Sequence, residues 1–306
     1  SGGRYRPQRN DGDATAALGF FPDPAHTGDG IGVLEVIEGG PLQQDGSRIR
    51  PGVVIESIDG QRVPAGSNWY RLLNHKADQR VRLALFDAKA NARWEETVTP
   101  VSWSEQGRLL YQRWLKSRRA LVEKLSGGRI GYAHIRGMND GAYREMYDEV
   151  FGRAVGKDAI VLDTRFNGGG NLVEALTVFL TGKQYARNAP RGRQIGSEPS
   201  NRWTKPSIVV MSEGNYSDAH CFPMAYTQLG IGKTVGMPVP GTCTSVWWER
   251  LQDRDLVFGI PEVSLIDMQG DVMENKHLDP DYMVEPDPAL VAAGRDQQIE
   301  KAVQVL

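Results

Sequence analysis

The run Ser207-Ile208-Val209-Val210-Met211-Ser212-Glu213-Gly214-Asn215-Tyr216-Ser217-Asp218-Ala219 decides how this chain is read. Its apolar start, rich in β-branched residues and closed by turn residues, has the pattern of a strand buried on both faces. A short polar turn follows, and then a helix that stops at Leu229-Gly230. The turn therefore sits at the carboxyl end of a strand and the amino end of a helix, where open α/β sheets hold their ligands. The same texture repeats on both sides. Strands are expected at 130–135, 159–163, 207–211 and 234–236, alternating with helices at 143–155, 173–180 and 219–229. That alternation predicts an α/β domain with parallel strands.

Upstream the texture changes. Gly32-Val33-Leu34-Glu35-Val36-Ile37, Gly52-Val53-Val54-Ile55-Glu56-Ser57-Ile58 and Val81-Arg82-Leu83-Ala84-Leu85-Phe86 are short β-like runs between turn clusters. One helix, Trp69 to Asn74 with Ser67 or Asn68 as its cap, interrupts them. After Pro100 comes a stretch with helical spacing that ends at Gly127-Gly128, a connecting helix. The expected organisation is an extended arm at 1–13, a small β-rich module at 14–100 and a larger domain at 101–306, with its connector at 103–127 and its α/β core at 128–306.

Two turns carry candidate chemistry. Ser217, beside exposed N–H groups and a positive helix end, has the surroundings an acyl-transfer nucleophile needs. Ser217 and Asp218 are equally residue types that cap helices, and the local sequence leaves that alternative open. The second turn, Arg165-Phe166-Asn167-Gly168-Gly169-Gly170-Asn171, follows the strand at 159–163. Consecutive glycines let the backbone approach closely and aim N–H groups at an anion, or merely make a flexible connection. The run is neither GxGxxG nor GxxxxGK[ST], so it does not read as a nucleotide site.

Together, the strand-RFNGGG and strand-SEGNYSDAHCF turns, fifty residues apart, resemble peptidase family S41, which contains tricorn protease and the C-terminal-processing proteases. Gly131-Tyr132-Ala133-His134-Ile135, Leu229-Gly230-Ile231-Gly232-Lys233 and Met273-Glu274-Asn275-Lys276-His277-Leu278-Asp279-Pro280-Asp281 resemble signatures of the tricorn branch in the same order. The resemblance implies a crotonase-like α/β catalytic domain preceded by a small β-rich PDZ-like domain. Ile55-Glu56-Ser57-Ile58-Asp59-Gly60-Gln61-Arg62-Val63 is similar to the PDZ signature, and Leu18-Gly19-Phe20-Phe21 stands where a PDZ module has its carboxylate-binding loop.

By the same resemblance Ser217 is the nucleophile, the backbone N–H groups of Asp218 and Gly170 form the oxyanion hole, and Glu274 supports the base through a second serine. The C-terminal-processing branch uses a lysine about 25 residues after its serine, but Pro240-Gly241-Thr242-Cys243-Thr244-Ser245 holds none. The tricorn branch instead uses a Ser-His pair just upstream of a segment like Gly2-Gly3-Arg4-Tyr5-Arg6, so the base is expected on sequence before Ser1. Of the five histidines here, His220 is the local substitute, though it would have to bend back from the first helical turn. Where the tricorn branch carries an acidic residue that selects basic side chains, this chain has Asn188. The competing function is a peptide-binding scaffold that works through the PDZ-like groove.

Composition limits the alternatives. The chain has 306 residues, 24% charged, and a formal net charge of -2, with basic runs too short to suggest a nucleic-acid partner. No stretch has the roughly 18 apolar residues a membrane span requires. No HExxH or CxxC occurs, so neither metal nor cofactor is expected. Cys221 and Cys243 read first as small buried side chains, with one bridge as the alternative. A GxSxG elbow of the α/β-hydrolase type is absent around Ser217. The partners implied are peptide substrates, upstream domains of the same polypeptide and further copies in a homo-oligomer. The compartment is not legible.

Overall fold

The computed structural model describes residues 2–5, 12–193 and 195–306. It divides into two compact units, Gln8–Lys116 and Ser1–Pro7 with Ser117–Leu306, the division falling inside the long helix Trp103–Leu125 (α1).

The first unit is built on an antiparallel sheet of Phe20–Pro22 (β1), Ile31–Val36 (β2), Val53–Ile58 (β3), Val81–Asp87 (β4) and Ala92–Val98 (β5), hydrogen-bonded in chain order, with the short strand Gln61–Arg62 also on β3. Strand β4 shows why these residues make this sheet. Val81, Leu83, Leu85 and Asp87 are buried while Arg82 is exposed, the two-residue alternation of a strand with one face on a core. That core gathers Phe20, Ile31, Val33, Leu42, Val53, Ile55, Ile58 and Leu73. The expected helix after Asn68 is a short 3-10 turn, Trp69–Leu73, and Asn68 makes no side-chain cap. Its Trp69 ring lies against Phe20, centroids 5.9 Å apart.

In the loop read as a carboxylate nest, one N–H is taken within the unit. Gly19 adopts a left-handed φ of 76°, and its N–H donates to the side-chain oxygen of Gln106 on α1 (3.1 Å). Leu18 and Phe20 point into the core. The Gly19 N–H is thus held by an amide of the same unit.

The second unit centres on a five-stranded, all-parallel sheet of Ile130–His134 (β6), Ala159–Asp163 (β7), Ser207–Met211 (β8), Lys233–Gly236 (β9) and Tyr282–Met283, in that order. Every residue of β7 and β8 is buried, as central strands of a parallel sheet must be. The helices Asp140–Asp148 (α2), Val173–Leu180 (α3), Asp218–Gln228 (α4) and Gln297–Val305 supply the connecting layers. The helix expected to run to 155 ends earlier, passing into a π-helical turn, Glu149–Arg153. Phe179, Phe222, Tyr226, Met138 and Leu176 fill the core beneath the sheet. A separate three-stranded antiparallel sheet joins Gly2–Tyr5, Leu256–Ser264 (β11) and Thr244–Arg250 (β10). Gly2–Tyr5 of the N-terminal segment is therefore a paired strand.

One buried ionic network fixes the end of β7. Arg165 donates to both carboxylate oxygens of Asp163 and to Asp296, which also receives Arg118. Tyr132 adds a hydroxyl donor to Asp163 (2.8 Å). Burial opposes ionisation of Asp163, but the Arg165 guanidinium, as charge and as donor, outweighs it and holds the carboxyl below the usual aspartate value.

Candidate active site

The two glycine-bearing turns meet at the carboxyl ends of β7 and β8. In the first, Thr164 donates its N–H and its hydroxyl to the Val210 carbonyl, and the Asn167 amide donates to Ile135 O (2.8 Å). Asn167 Oδ1 accepts the Gly169 N–H, and the Asn167 carbonyl accepts the Tyr216 N–H (2.9 Å), which ties one turn to the other. Two glycines here are sterically required. A Cβ on Gly170, whose φ is 148°, would stand 1.9 Å from Met138 O. One on Gly169, at φ 90°, would stand 2.7 Å from the Ser217 Cβ. The turn can pass directly beside Ser217 only because those atoms are missing.

Ser217 occupies the cap position of α4 without acting as a cap. Its φ/ψ of 55°/-124° is a left-sided conformation that is costly for a serine, on the order of 1–3 kcal/mol, and its side chain makes no cap hydrogen bond. The capping alternative therefore fails for Ser217. Asp218 caps a different helix: its Oδ2 accepts the Leu172 N–H (2.6 Å) at the start of α3. Burial raises the Asp218 pKa despite the backbone N–H groups of Leu172 and Val173.

Accounting for the N–H groups around Ser217 shows which remain open. Ser217 N–H goes to Thr242 Oγ1 (2.9 Å), Ala219 N–H to Tyr216 O, and those of His220 and Cys221 to Ser217 O. Among the described residues, the N–H groups of Asp218, Gly170 and Gly168 have no acceptor. Ser217 Oγ likewise makes no hydrogen bond to a described residue. The same accounting explains Pro223 inside α4. Proline cannot donate to the Ala219 carbonyl four residues back, and the Asn215 side chain does so instead (3.2 Å).

His220 is wholly buried, and its Nδ1 accepts the Thr242 N–H (3.2 Å), which leaves the proton on Nε2. Burial lowers its pKa to about 4, with the Glu274 charge pulling the other way. His220 Nε2 and Glu274 Oε2 are both buried without a hydrogen-bond partner among the described residues. Glu274 comes near His220 because its loop packs on Gly241: the Asn275 N–H donates to Gly241 O (2.8 Å), and a Cβ on Gly241 would stand 2.2 Å from Lys276 N. Contrary to the first reading of the cysteines, Cys221 and Cys243 are joined by a disulfide.

A cavity of about 690 Å³ opens over Ser217, with Gly168 to Gly170 on one side and Thr244 to Trp248 of β10 on another. The β10–β11 wall and the bridging Thr242 had escaped the reading of the sequence. Asn188 lies elsewhere, exposed on the hairpin of Ala186–Asn188 with Gly196–Glu198, its amide donating to Glu198 Oε1 (3.3 Å). Among the described residues no group of His, Cys, Asp and Glu is arranged to hold a metal ion, and no helix is long and apolar enough to cross a membrane.

The comparisons with known proteins converge. The model of Peptidase family S41 matches residues 129–284, and that of the Tricorn protease PDZ domain matches residues 33–102. The chain is 30% identical over 257 residues to the Tricorn protease of Thermoplasma acidophilum, covering 83% of this chain and 24% of that protein. It is 29% identical over 264 residues to Tricorn protease homolog 1 of Streptomyces coelicolor, covering 86% and 24%. The crystal structure of the tricorn protease superposes with a TM-score of 0.82 at 27% identity, covering 95% of this chain and 29% of that one. This chain thus spans about a quarter of the length of the curated relatives it matches. With a PDZ-like unit leading into an α/β unit that matches the family model over half of the sequence, the chain belongs to peptidase family S41.

Proposed function

We propose that this chain carries the nucleophile and the oxyanion hole of a serine peptidase acting on peptide substrates. Ser217 Oγ attacks the peptide carbonyl. The developing oxyanion is received by the N–H groups of Asp218 and Gly170, the C–N bond breaks with proton transfer to the leaving amine, and water then hydrolyses the acyl-enzyme. The observation that carries this reading is the pair of open N–H groups flanking a serine held in a left-sided conformation. One such donor is worth about 10²–10³ in kcat in related chemistry.

The general base is a histidine outside residues 1–306 on the same polypeptide, supported by a serine that Glu274 contacts. This is supported by the buried Oε2 of Glu274, which has no hydrogen-bond partner among the described residues, and by the engagement of the local candidate, His220, with Thr242. Further copies of the chain assemble with it, as its resemblance to the tricorn branch implies. Among the described residues that line the cavity the one carboxylate, on Asp218, is committed to α3, so this lining offers no free acid to a Lys or Arg side chain.

The test is hydrolysis of fluorogenic peptides by the full polypeptide and by its Ser217→Ala variant. A fall of about 10⁴-fold or more at unchanged secondary structure is expected, on the scale of nucleophile removal in other serine peptidases. Undiminished turnover by Ser217→Ala refutes the assignment.

A further inference from the structure

The conformation of Ser217 has to be held by something, since a serine left to itself avoids a φ of 55°. Its own side chain does not do so. The hold comes through its backbone: the Ser217 N–H donates to Thr242 Oγ1 at 2.9 Å. Thr242 belongs to the loop after β9, 25 residues along the chain, and is itself fixed from two sides. Its hydroxyl donates to Pro240 O (3.3 Å), which turns a lone pair toward Ser217, and its N–H donates to His220 Nδ1 (3.2 Å). His220 lies on the first turn of α4, wholly buried, three residues past Ser217. The residues next to this pair, Cys221 and Cys243, form the disulfide, so helix and loop are fastened twice at adjacent positions.

We propose that Thr242, anchored by His220, is a positioning residue that sets the Ser217 backbone and thereby aims both Oγ and the neighbouring Asp218 N–H at the substrate carbonyl. This rests on the serine-peptidase reading. The imidazole is built for the task as an acceptor: Nδ1 takes the Thr242 N–H, the remaining proton sits on Nε2, and the carboxylate of Glu274 is the charge that acts on that ring. His220 does not touch substrate or the reacting atoms. The links run through the main chain, so the device distinguishes a hydroxyl at 242 and an acceptor at the δ position of residue 220 from every other side chain of similar size.

The test uses the full polypeptide with a fluorogenic peptide, measuring kcat and KM separately alongside the melting temperature. Thr242→Val, which keeps the shape and removes the hydroxyl, is expected to lower kcat about 10- to 100-fold with little change in KM, the size of effect a small misplacement of reacting groups produces. Thr242→Ser, which restores the hydroxyl, recovers most of that loss. His220→Ala lowers kcat similarly, and His220→Asn, whose Oδ1 can accept the Thr242 N–H, recovers it where His220→Gln does not. The double variant His220→Ala/Thr242→Val loses no more than the worse single one. Should Thr242→Val fail to fold, the Ala, Asn and Gln series at 220 decides alone. Wild-type kcat in a folded Thr242→Val, equal losses for Val and Ser at 242, or equal losses for Ala and Asn at 220 overturns the proposal. Loss of turnover in Ser217→Ala with any of these outcomes isolates that failure from the peptidase reading, whereas full activity in Ser217→Ala sinks the peptidase reading itself.

Discussion

Two turns in this molecule, one with a single glycine and one with three in a row, differ in what their N–H groups are given to do. In the PDZ-like unit, Gly19 offers an N–H at the start of a strand, and the Gln106 amide of α1 takes it. In the peptidase unit, the open N–H groups of Gly170 and Asp218 flank a serine, while every other N–H at the start of α4 is committed. Both turns have left-handed glycines. The difference lies in the supporting side chains: Asn167, Asn215, Thr164 and Thr242 satisfy much of the surrounding backbone and, among the described residues, leave the N–H groups of Gly168, Gly170 and Asp218 over. A binding site can therefore be located by asking which donors the fold has not used.

The largest effect is expected where the peptidase turn is anchored. Arg165→Ala leaves Asp163 buried without its cation and Asp296 with Arg118 alone, and should cost about 3–5 kcal/mol in urea unfolding, whereas an exposed arginine such as Arg82 should cost less than about 1 kcal/mol. Next, Gly170→Ala places a Cβ 1.9 Å from Met138 O and should remove activity while destabilising by roughly 2–4 kcal/mol; an alanine tolerated there would show that the turn is slack.

A smaller, conditional effect concerns pH. The folded pKa of His220 lies at about 4, below its ordinary 6.5, so between these values the unfolded chain holds the extra proton. Stability is then complete above pH 6.5 and falls as the pH drops toward 4, by on the order of 3 kcal/mol in all. The unfolding midpoint of His220→Asn, compared with wild type at pH 7 and pH 5, should lack this component. The smallest effect belongs to the other turn. Gln106→Ala frees the Gly19 N–H at a cost of about 1 kcal/mol, and calorimetry with a short peptide bearing a free carboxylate should detect binding only in the variant. Equal binding by both proteins would erase the contrast between the turns.

Sequence reading located the main elements well where the physics is local. Strands 159–163 and 207–211 and helix 173–180 coincide with Ala159–Asp163, Ser207–Met211 and Val173–Leu180, because unbroken apolar runs closed by turn residues leave little choice of boundary. The β10–β11 hairpin was not legible. Thr244–Arg250 has no clean alternation, and Gly259 and Pro261 interrupt Leu256–Ser264, which is tolerated because Val246 and Trp248 cover the bare glycine. At the site, the two turns are visible as local signals, a glycine run and a serine after a strand, whereas the roles of Ser217, Asp218, Gly170 and Glu274 follow only from the family resemblance. Thr242 was invisible because its role depends on a fold-back of 25 residues, and the cysteine bridge because two cysteines alone do not declare a pair. The compensation of Pro223 by Asn215 required the helix first.

The central claim, that Ser217 is the nucleophile and the two open N–H groups its oxyanion hole, is tested most directly by mapping a fluorophosphonate adduct on the full polypeptide by mass spectrometry. The account predicts a single adduct on the peptide containing Ser217, lost in Ser217→Ala. An adduct on another residue with turnover retained in Ser217→Ala would contradict it.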